Sequence, residues 1–514
     1  MLKELSKKNI NSIQVILKMK KLHKYIAAAL IIITGASSCK KINDLNPHDA
    51  IGLNTGFQSV SDAAKWAAGT YSALRGNFDM PTSITDLQAG ELNITLSNNN
   101  SNVGYYRWGS FFGVDDAAGY WESYYAAIAN IDAAITGFPN IKTTNTTDAD
   151  SLQQYTGDLY LARAYYYHRL ILRYAKAYNP STAAMDPGVP LVLVYNIDAK
   201  PDRSTVKAVY TQILSDIANA EKLLTSVPGQ QGSIVFTSDV ATALEARVRL
   251  DMQDWAGAYA AAKKVIGTGT YPLITTLAGF QNYWTNDGTQ EDLFQPFTNT
   301  TTEQPAVALN YLNYDLSVNA YVPWYVPTRT TLGLYDHTKD IRYGTYFASL
   351  PVNINNLTGT LTLVNKYPGN PVFYAGQSKS TYQNAPKPFR IAEMYLIAAE
   401  AAANNSDPAD ALTTLNALHQ ARTGATYVGL TSTALTDTIR AERTRELAFE
   451  GYHLDDLERW GLGFTRTDPQ DATFMLSGAN TTSLTILPTD YHFIWAVPSN
   501  DITLNPNLKQ NPGW

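Results

Sequence analysis

The chain has 514 residues, of which 45% are hydrophobic and 16% are charged, and its formal net charge is −6. This length and apolar content fit a folded protein with a sizeable core, as one large domain or two to three ordinary ones. The acidic balance and the lack of a basic stripe exclude the electrostatic surface that nucleic-acid binding requires.

Residues 1–38 have the pattern of a secretory signal peptide. Lysines between residues 18 and 24 precede an apolar run from Tyr25 to Ile33, which is too short for a membrane span. Because this basic region lies far into the chain, Met19 is an alternative start. Cys39 is the single cysteine and follows small residues in an arrangement similar to a degenerate lipobox. We therefore predict lipidation of Cys39, the alternative being a leader cysteine without a role.

Helical periodicity dominates residues 59–270, after a polar tether at residues 39–58. The pair at 238–252 and 255–266 is close to a tetratricopeptide unit in its small residues, turn and closing hydrophobics. The prediction is a mainly α fold, in which tetratricopeptide-like helix pairs form a right-handed solenoid scaffold. The other helices predicted in this region cover 59–76, 120–135, 152–178 and the segment from Ser204 to Pro228.

Two long segments lack helical periodicity. Residues 77–119 are rich in Asn, Ser, Gly and aromatics, and loops of such length are commonly functional or disordered. Residues 271–388 read as a large, irregular, loop-rich insertion with a few short strands, for example at 360–364. Helices are predicted to resume at 388–403 and 409–422.

A charged helix is predicted from Ile439 to Gly461. Its core-facing stripe includes Arg443 and Glu450, so the charges must neutralise one another. Arg443 is within helical reach of Glu446 and Glu450, and Glu442 is within reach of Arg445 and Glu446. Gly451 inside the helix indicates a closely packed neighbour.

An alternative for this helix is a metal site or an acid–base pair, because Glu442, Glu446 and Glu450 are whole turns apart. Nearby arginines and the lack of an HExxH pattern favour internal ion pairs and no metal. We assign structural roles to Arg443, Glu446, Glu450, Gly451 and Trp460.

The carboxyl-terminal region carries two recognisable motifs. ERTRELAFEGYHLDDLERWG at 442–461 and IWAVPSNDITLNPNLKQNPGW at 494–514 resemble, in order and spacing, signatures of the SusD/RagB family of outer-membrane nutrient-binding lipoproteins. With Cys39 and the helix pair at 238–266, the resemblance spans the mature chain. It divides the chain into an N-terminal SusD-like region at 59–270 and a SusD/RagB region at 271–514, whose insertion at 271–388 would bind the ligand.

The resemblance implies a lipid-anchored protein that faces the cell exterior, captures oligosaccharides and delivers them to a SusC-like TonB-dependent outer-membrane transporter, without catalysis or a cofactor. Peptide capture, as in one branch of the family, is the alternative. Many surface-displayed members carry acidic residues after the lipidated cysteine, whereas this chain has Lys40 and Lys41. The matched motifs are structural and fix no binding residue.

Ligand contacts are predicted in the two irregular segments, because both combine flat rings with neutral amides. Rings stack on the apolar C–H faces of sugars, and amides bond to hydroxyl edges. For any single ring, packing beneath a loop is the alternative. The predicted ligand-binding residues are Asn100, Tyr105, Tyr106, Arg107 and Trp108 in the first segment, and Tyr283, Trp284, Asn313, Tyr321, Trp324 and Tyr325 in the second.

A glycoside hydrolase and a pure helical-repeat scaffold are the remaining alternatives. A retaining glycosidase needs two carboxyl groups about 5 Å apart, for which the candidates are Glu291 with Asp292, Asp115 with Asp116, or Asp455 with Asp456. Adjacent carboxylates more commonly mark a solvated turn or a helix start. Since the sequence has no GxSxG, HExxH or P-loop pattern, the prediction is that the chain is not an enzyme.

Overall fold

A computed structural model of the chain describes residues 56–78, 82–305, 311–374 and 382–514. The predicted signal peptide, Cys39 and most of the predicted tether lie outside these ranges. Phe57–Trp514 forms one compact unit. The predicted boundary between residues 270 and 271 falls inside this unit.

The amino-terminal half consists of helices and one short strand. Polar side chains cap several helices: Asn145 accepts a hydrogen bond from the Asp148 N–H at 2.9 Å, and Thr237 and Asp254 cap the helix pair that the sequence predicted. The helices are α1 Val60–Phe78, α2 Thr82–Gln88, α3 Val103–Arg107, α4 Ala118–Gly137, α5 Thr146–Tyr174, α6 Val206–Leu223, α7 Ser238–Asp251 and α8 Trp255–Gly267.

The carboxyl-terminal half combines helices with short strands. Its helices are α9 Leu277–Thr285, α10 Arg329–Leu332, α11 Tyr343–Tyr346, α12 Ile391–Asn404, α13 Pro408–Thr423, α14 Ser432–Leu447, α15 His453–Trp460 and α16 Ser499–Leu504. Counted from the one strand of the amino-terminal half, the strands are β1 Leu92–Ile94, β2 Asp292–Phe294, β3 Tyr314–Asp315, β4 Ala320–Tyr321, β5 Tyr325–Pro327, β6 Phe347–Ile354, β7 Leu357–Val364, β8 Phe389–Arg390, β9 Phe464–Arg466 and β10 Leu484–Ile486. These strands pair antiparallel except for β4 and β6, which run parallel.

Successive helices pack against each other along the chain. Helix α5 contacts α1, α4 and α6, α7 follows with α8, and α8 contacts α12, which also packs on α13 and α14. Strands β3, β4, β6 and β7 form a four-stranded sheet, and β1–β5, β2–β8 and β9–β10 pair separately. The mainly α class and the few short strands are confirmed, while the tetratricopeptide-like pairing and its handedness stay predictions.

The helix predicted from Ile439 to Gly461 is in fact two helices, α14 and α15. Between them the backbone enters the left-handed region at Phe449, with φ 63°, and at Gly451, with φ 79°. Gly451 therefore lies in a turn with a left-handed backbone, so the prediction of a continuous helix was wrong, while a close neighbour at Gly451 stays a prediction. The Gly451 N–H donates to the Asp86 carboxylate at 2.9 Å, which ties this break to α2.

The buried charges of α14 find most of their partners in distant segments. Of the pairs predicted within the helix, Glu442 with Arg445 is present at 2.6 Å. Arg443 instead pairs with Asp456 at 2.8 Å. Glu446 accepts from Arg342, Arg390 and Arg422 at 3.0 to 3.1 Å, and Glu450 accepts from Lys366 and Arg390. Trp460 is half-buried and donates to Glu400 at 2.8 Å.

Candidate functional site

The aromatic residues predicted around α3 are mostly packed inside the protein. Tyr106 and Trp108 are each 1% exposed and Tyr105 is 4% exposed. The Trp108 indole N–H donates to the Gln88 carbonyl at 2.9 Å, and the Tyr106 hydroxyl donates to Asn93 at 3.0 Å. These rings present no free face, so the structure places them in the core, as the packing alternative anticipated.

Two other predicted residues of this segment reach the surface. Asn100 is exposed with φ 57°, and its backbone N–H donates to the Asn98 side chain at 3.1 Å. Arg107 is half-buried and donates to the Ser477 carbonyl at 2.9 Å, while its guanidinium lies 5.1 Å from the exposed Phe111 ring. Both remain available as polar contacts.

The residues predicted in the second segment also divide into buried rings and half-exposed residues. Tyr283 and Trp284 are each 1% exposed, and Tyr325 is 0% exposed. Trp284 faces buried cations, with the Lys366 ammonium 4.6 Å and the Arg390 guanidinium 5.3 Å from its ring. Such a ring belongs to the ion-pair core and cannot stack on an external ligand.

Several aromatic residues around β3, β4 and β5 are half-exposed, in contrast to the buried rings. Asn313, Tyr321 and Trp324 are half-buried, as predicted contacts should be, and Tyr314 packs edge-on against Tyr321 with ring centroids 5.0 Å apart. Tyr374 is near enough to Tyr321 for its hydroxyl to raise the pKa of Tyr321, although its position 53 residues later gave no sequence signal. We call this set the tyrosine rim: Asn313, Tyr314, Asn319, Tyr321, Trp324 and Tyr374.

The rim and the asparagine-rich loop before α3 are held together. Strands β1 and β5 pair in antiparallel register, and the Thr95 N–H donates to the Trp324 carbonyl at 2.9 Å. The Asn102 amide donates to the Tyr325 hydroxyl at 2.8 Å. The exposed Asn100 therefore belongs to the same loop cluster as Trp324, which the sequence, with more than 200 residues between them, could not establish.

The tyrosine rim is chemically neutral. Burial, followed by the nearby hydroxyls of Tyr314 and Tyr374, raises the pKa of Tyr321, so its hydroxyl stays protonated at neutral pH. At the exposed tip between β3 and β4, bonds from the hydroxyl and backbone N–H of Ser317 lower the pKa of Asp315. The rim thus offers amphipathic rings, hydroxyl donors and amides with one carboxylate at its edge.

Among the described residues, two of the concave surfaces are large grooves away from the rim, and neither is lined by a predicted site residue. A groove of about 590 Å³ runs between Trp121, Tyr125 and the α16 residues Asp501 and Leu504. Another of about 680 Å³ lies beside the α13 residue Arg422. The groove beside α16 is mainly apolar, and Trp121 in its wall is only 3% exposed. Within the described residues, no cluster of three or more His, Cys, Asp or Glu is arranged for a metal ion.

Two sequence-family models match the chain. The model described as the SusD family matches residues 234–514, which is more than half of the chain. The model described as starch-binding associating with outer membrane matches residues 59–250. In the described part of the chain, no helix has the length and apolar content needed to cross a bilayer.

Individual relatives agree with these matches. The SusD-like protein P38 of Formosa agariphila is 24% identical, over 96% of this chain and 99% of its own length. A SusD superfamily protein from Bacteroides thetaiotaomicron has a TM-score of 0.72 at 23% identity, covering 88% of this chain and 100% of its own. A SusD-like carbohydrate binding protein from Bacteroides vulgatus has a TM-score of 0.70 at 18% identity, covering 88% and 98%. These likenesses show a common fold, and with the family match they establish that the chain belongs to the SusD family.

Proposed function

We propose that this protein is a surface glycan-binding lipoprotein that captures an oligosaccharide at the tyrosine rim. The observation that carries the proposal is the combination of half-exposed Tyr314, Tyr321 and Trp324 with the amides of Asn313 and Asn100 in one loop cluster. Sugars present apolar C–H faces and hydroxyl edges, so rings with adjacent neutral donors and acceptors suit them. The solved relative from Bacteroides vulgatus, called a carbohydrate binding protein, supports this ligand class.

The proposal extends to anchorage and delivery. Lipidation of Cys39 would hold the protein on the outer membrane, facing the exterior, and a SusC-like TonB-dependent transporter would receive the glycan. The family description of residues 59–250, which names association with the outer membrane, supports this placement. The protein would act by binding alone, since a delivery protein must release its ligand unchanged.

The binding surface is tested by titration calorimetry against neutral oligosaccharides, with Trp324→Ala and Tyr321→Ala as variants. Loss of a stacking ring should weaken binding about tenfold, or roughly 1.4 kcal/mol. Tyr195→Ala is the matched control, because Tyr195 is an exposed tyrosine, 37% accessible, in the loop before α6. Saturable binding of peptides without glycans would favour the peptide alternative, and equal affinity in all variants would remove the rim from the site.

Anchorage is tested by Cys39→Ala. Without the cysteine no acyl chain can be attached, so the protein should leave the membrane fraction. Fractionation followed by immunoblotting measures this, with Lys40→Ala as a control that leaves the cysteine in place. A Cys39→Ala variant that stays with the membrane would contradict the lipid anchor.

A further inference from the structure

A small, partly open cavity of about 50 Å³ lies where helices α5 and α7 meet the segments 386–388 and 450–452. It lies apart from the tyrosine rim, and no rim residue lines it. Three basic side chains face it, Arg169, Arg247 and Lys387. The other lining residues are Phe78, Tyr165, Tyr367, Pro386, Pro388, Glu450 and Tyr452.

Arg169 is half-buried and, unlike most arginines of the described core, is paired with no carboxylate; the fully buried Arg466 also has no carboxylate partner. The Arg169 Nε is buried without a hydrogen-bond partner in the described structure, and its polar neighbours there are the hydroxyls of Tyr124, Tyr165 and Tyr452. Partial loss of hydration around this guanidinium, with no carboxylate beside it, favours binding of a counter-ion. The arginines with carboxylate partners include Arg163, Arg247, Arg342, Arg390, Arg422, Arg443 and Arg459.

Arg247 and Lys387 add donors to the same cavity. Arg247 uses Nε and Nη2 for Glu393, with further Nη2 bonds to the Pro388 carbonyl at 2.7 Å and the Tyr452 hydroxyl at 2.8 Å, which leaves Nη1 for the cavity. The Lys387 ammonium donates to the Gly288 carbonyl and to Asp292, each at 2.7 Å, and has a third proton.

The carboxylate in the lining, Glu450, is already neutralised. One of its oxygens accepts from the Lys366 ammonium at 2.7 Å, and the other accepts from Arg390 Nε at 2.9 Å. Both oxygens are thereby satisfied by cations on the side of the ion-pair core. The unbalanced charge at the cavity is therefore positive and comes from Arg169.

The volume limits what the cavity can hold. One water needs roughly 10–15 Å³ in this measure, so a cavity of about 50 Å³ holds a monatomic ion with one or two waters. It is too small for a sugar ring or a peptide segment. A compact anion would meet guanidinium, ammonium and hydroxyl donors at once, as buried anions require.

We propose that this cavity is a binding site for a small monovalent inorganic anion, chloride first, held by Arg169 with Arg247, Lys387 and the Tyr452 hydroxyl. The anion neutralises Arg169 and joins helices α5 and α7 to the segment between α14 and α15. It acts as a structural ligand that fastens the amino-terminal helices to the carboxyl-terminal motif.

Crystals of the full chain grown with bromide as the sole halide test the site directly. An anomalous difference peak at the bromine absorption edge is expected inside the cavity, within hydrogen-bond distance of the Arg169 guanidinium. Density without an anomalous signal means that the cavity holds water only, and this result overturns the proposal.

Thermal unfolding tests whether the anion matters in solution. When chloride replaces gluconate at constant ionic strength, the Tm should rise and saturate, because a ligand that binds only the folded state stabilises it. Arg169→Met should lose this chloride-dependent rise, while Arg249→Met, a half-exposed arginine of α7 paired with Glu245 and Asp254, should keep it. A rise that is equal in wild type and Arg169→Met would show an adventitious ion only.

Discussion

Asp86, in α2, and Glu91, just beyond it, form a pair of buried carboxyl groups. Asp86 is 0% and Glu91 is 3% exposed. Burial raises the pKa of Asp86 to about 7, and burial together with the adjacent Asp86 raises the pKa of Glu91 well above its ordinary range. In the folded protein Glu91 therefore favours its protonated form, and Asp86 accepts a hydrogen bond from the Gly451 N–H at 2.9 Å.

The raised pKa of Glu91 predicts how the stability of the folded protein changes with pH. Because the folded protein keeps a proton on Glu91 that the unfolded chain releases above about pH 4.5, stability from this group is lost as the pH rises. Glu91→Gln carries an amide donor in place of that proton. The stability of Glu91→Gln should therefore fall less steeply than that of wild type between about pH 5 and 8. The two slopes should differ by up to about 1.4 kcal/mol per pH unit.

Urea unfolding at several pH values measures this difference. Glu245→Gln is the control, since Glu245 is a half-exposed residue of α7 paired with Arg249, and its profile should parallel wild type. Parallel profiles for Glu91→Gln and wild type would show that Glu91 carries no extra proton in the folded state.

At the scale of elements, the break between α14 and α15 is the feature that organises the carboxyl-terminal region. It turns the chain so that Arg443 of α14 reaches Asp456 of α15 at 2.8 Å. It also exposes main-chain groups to other segments: the Lys366 ammonium donates to the Ala448 carbonyl at 2.6 Å, and Tyr367 donates to the Phe449 carbonyl at 2.9 Å. A continuous helix would have used these carbonyls internally.

Gly451→Ala should destabilise the protein by roughly 1 kcal/mol or more, because a Cβ is disfavoured at φ 79°. Gly69→Ala is the matched control. Gly69 lies inside α1 with no atom within 4 Å of an added Cβ, so alanine should be neutral or stabilise by about 0.5–1 kcal/mol. Chemical denaturation measures both, and similar effects at the two positions would contradict the role of the left-handed backbone.

At the scale of the whole molecule, the tail after α15 closes the amino-terminal helices. Trp495 is 0% exposed and packs against the rings of Tyr105, Tyr120 and Tyr174 with centroids 5.3 to 5.8 Å apart. Its backbone N–H donates to the Arg173 carbonyl at 2.7 Å. The tail has little regular structure, yet its side chains belong to the same core as α4 and α5.

Trp495→Ala should therefore cost about 3–5 kcal/mol, the range for removing a buried large aromatic side chain. Thermal unfolding should show the amino-terminal helices losing stability together with the rest, in one transition at a lower Tm. Leu504→Ala is the control from the same tail, because Leu504 is 63% exposed and should change stability by less than about 0.5 kcal/mol. Two separated transitions in Trp495→Ala would indicate independently unfolding halves.

The sequence by itself determined the family, the mainly α class and the irregular middle, because these depend on local periodicity and on contiguous motifs. It also identified the buried charges of α14 as ion-pair residues. It could not find most of their partners, since Arg342, Arg390 and Arg422 reach Glu446 from other segments.

Only the tertiary structure decided which aromatic residues can meet a ligand. Trp108 and Trp324 look alike in sequence, as tryptophans beside tyrosines in irregular segments, yet one is 1% exposed and the other half-buried. The break at Phe449 and Gly451 was also hidden, because the helical period continues through it. Local pattern fixes which residues can form an element, whereas burial and charge pairing depend on contacts between segments hundreds of residues apart.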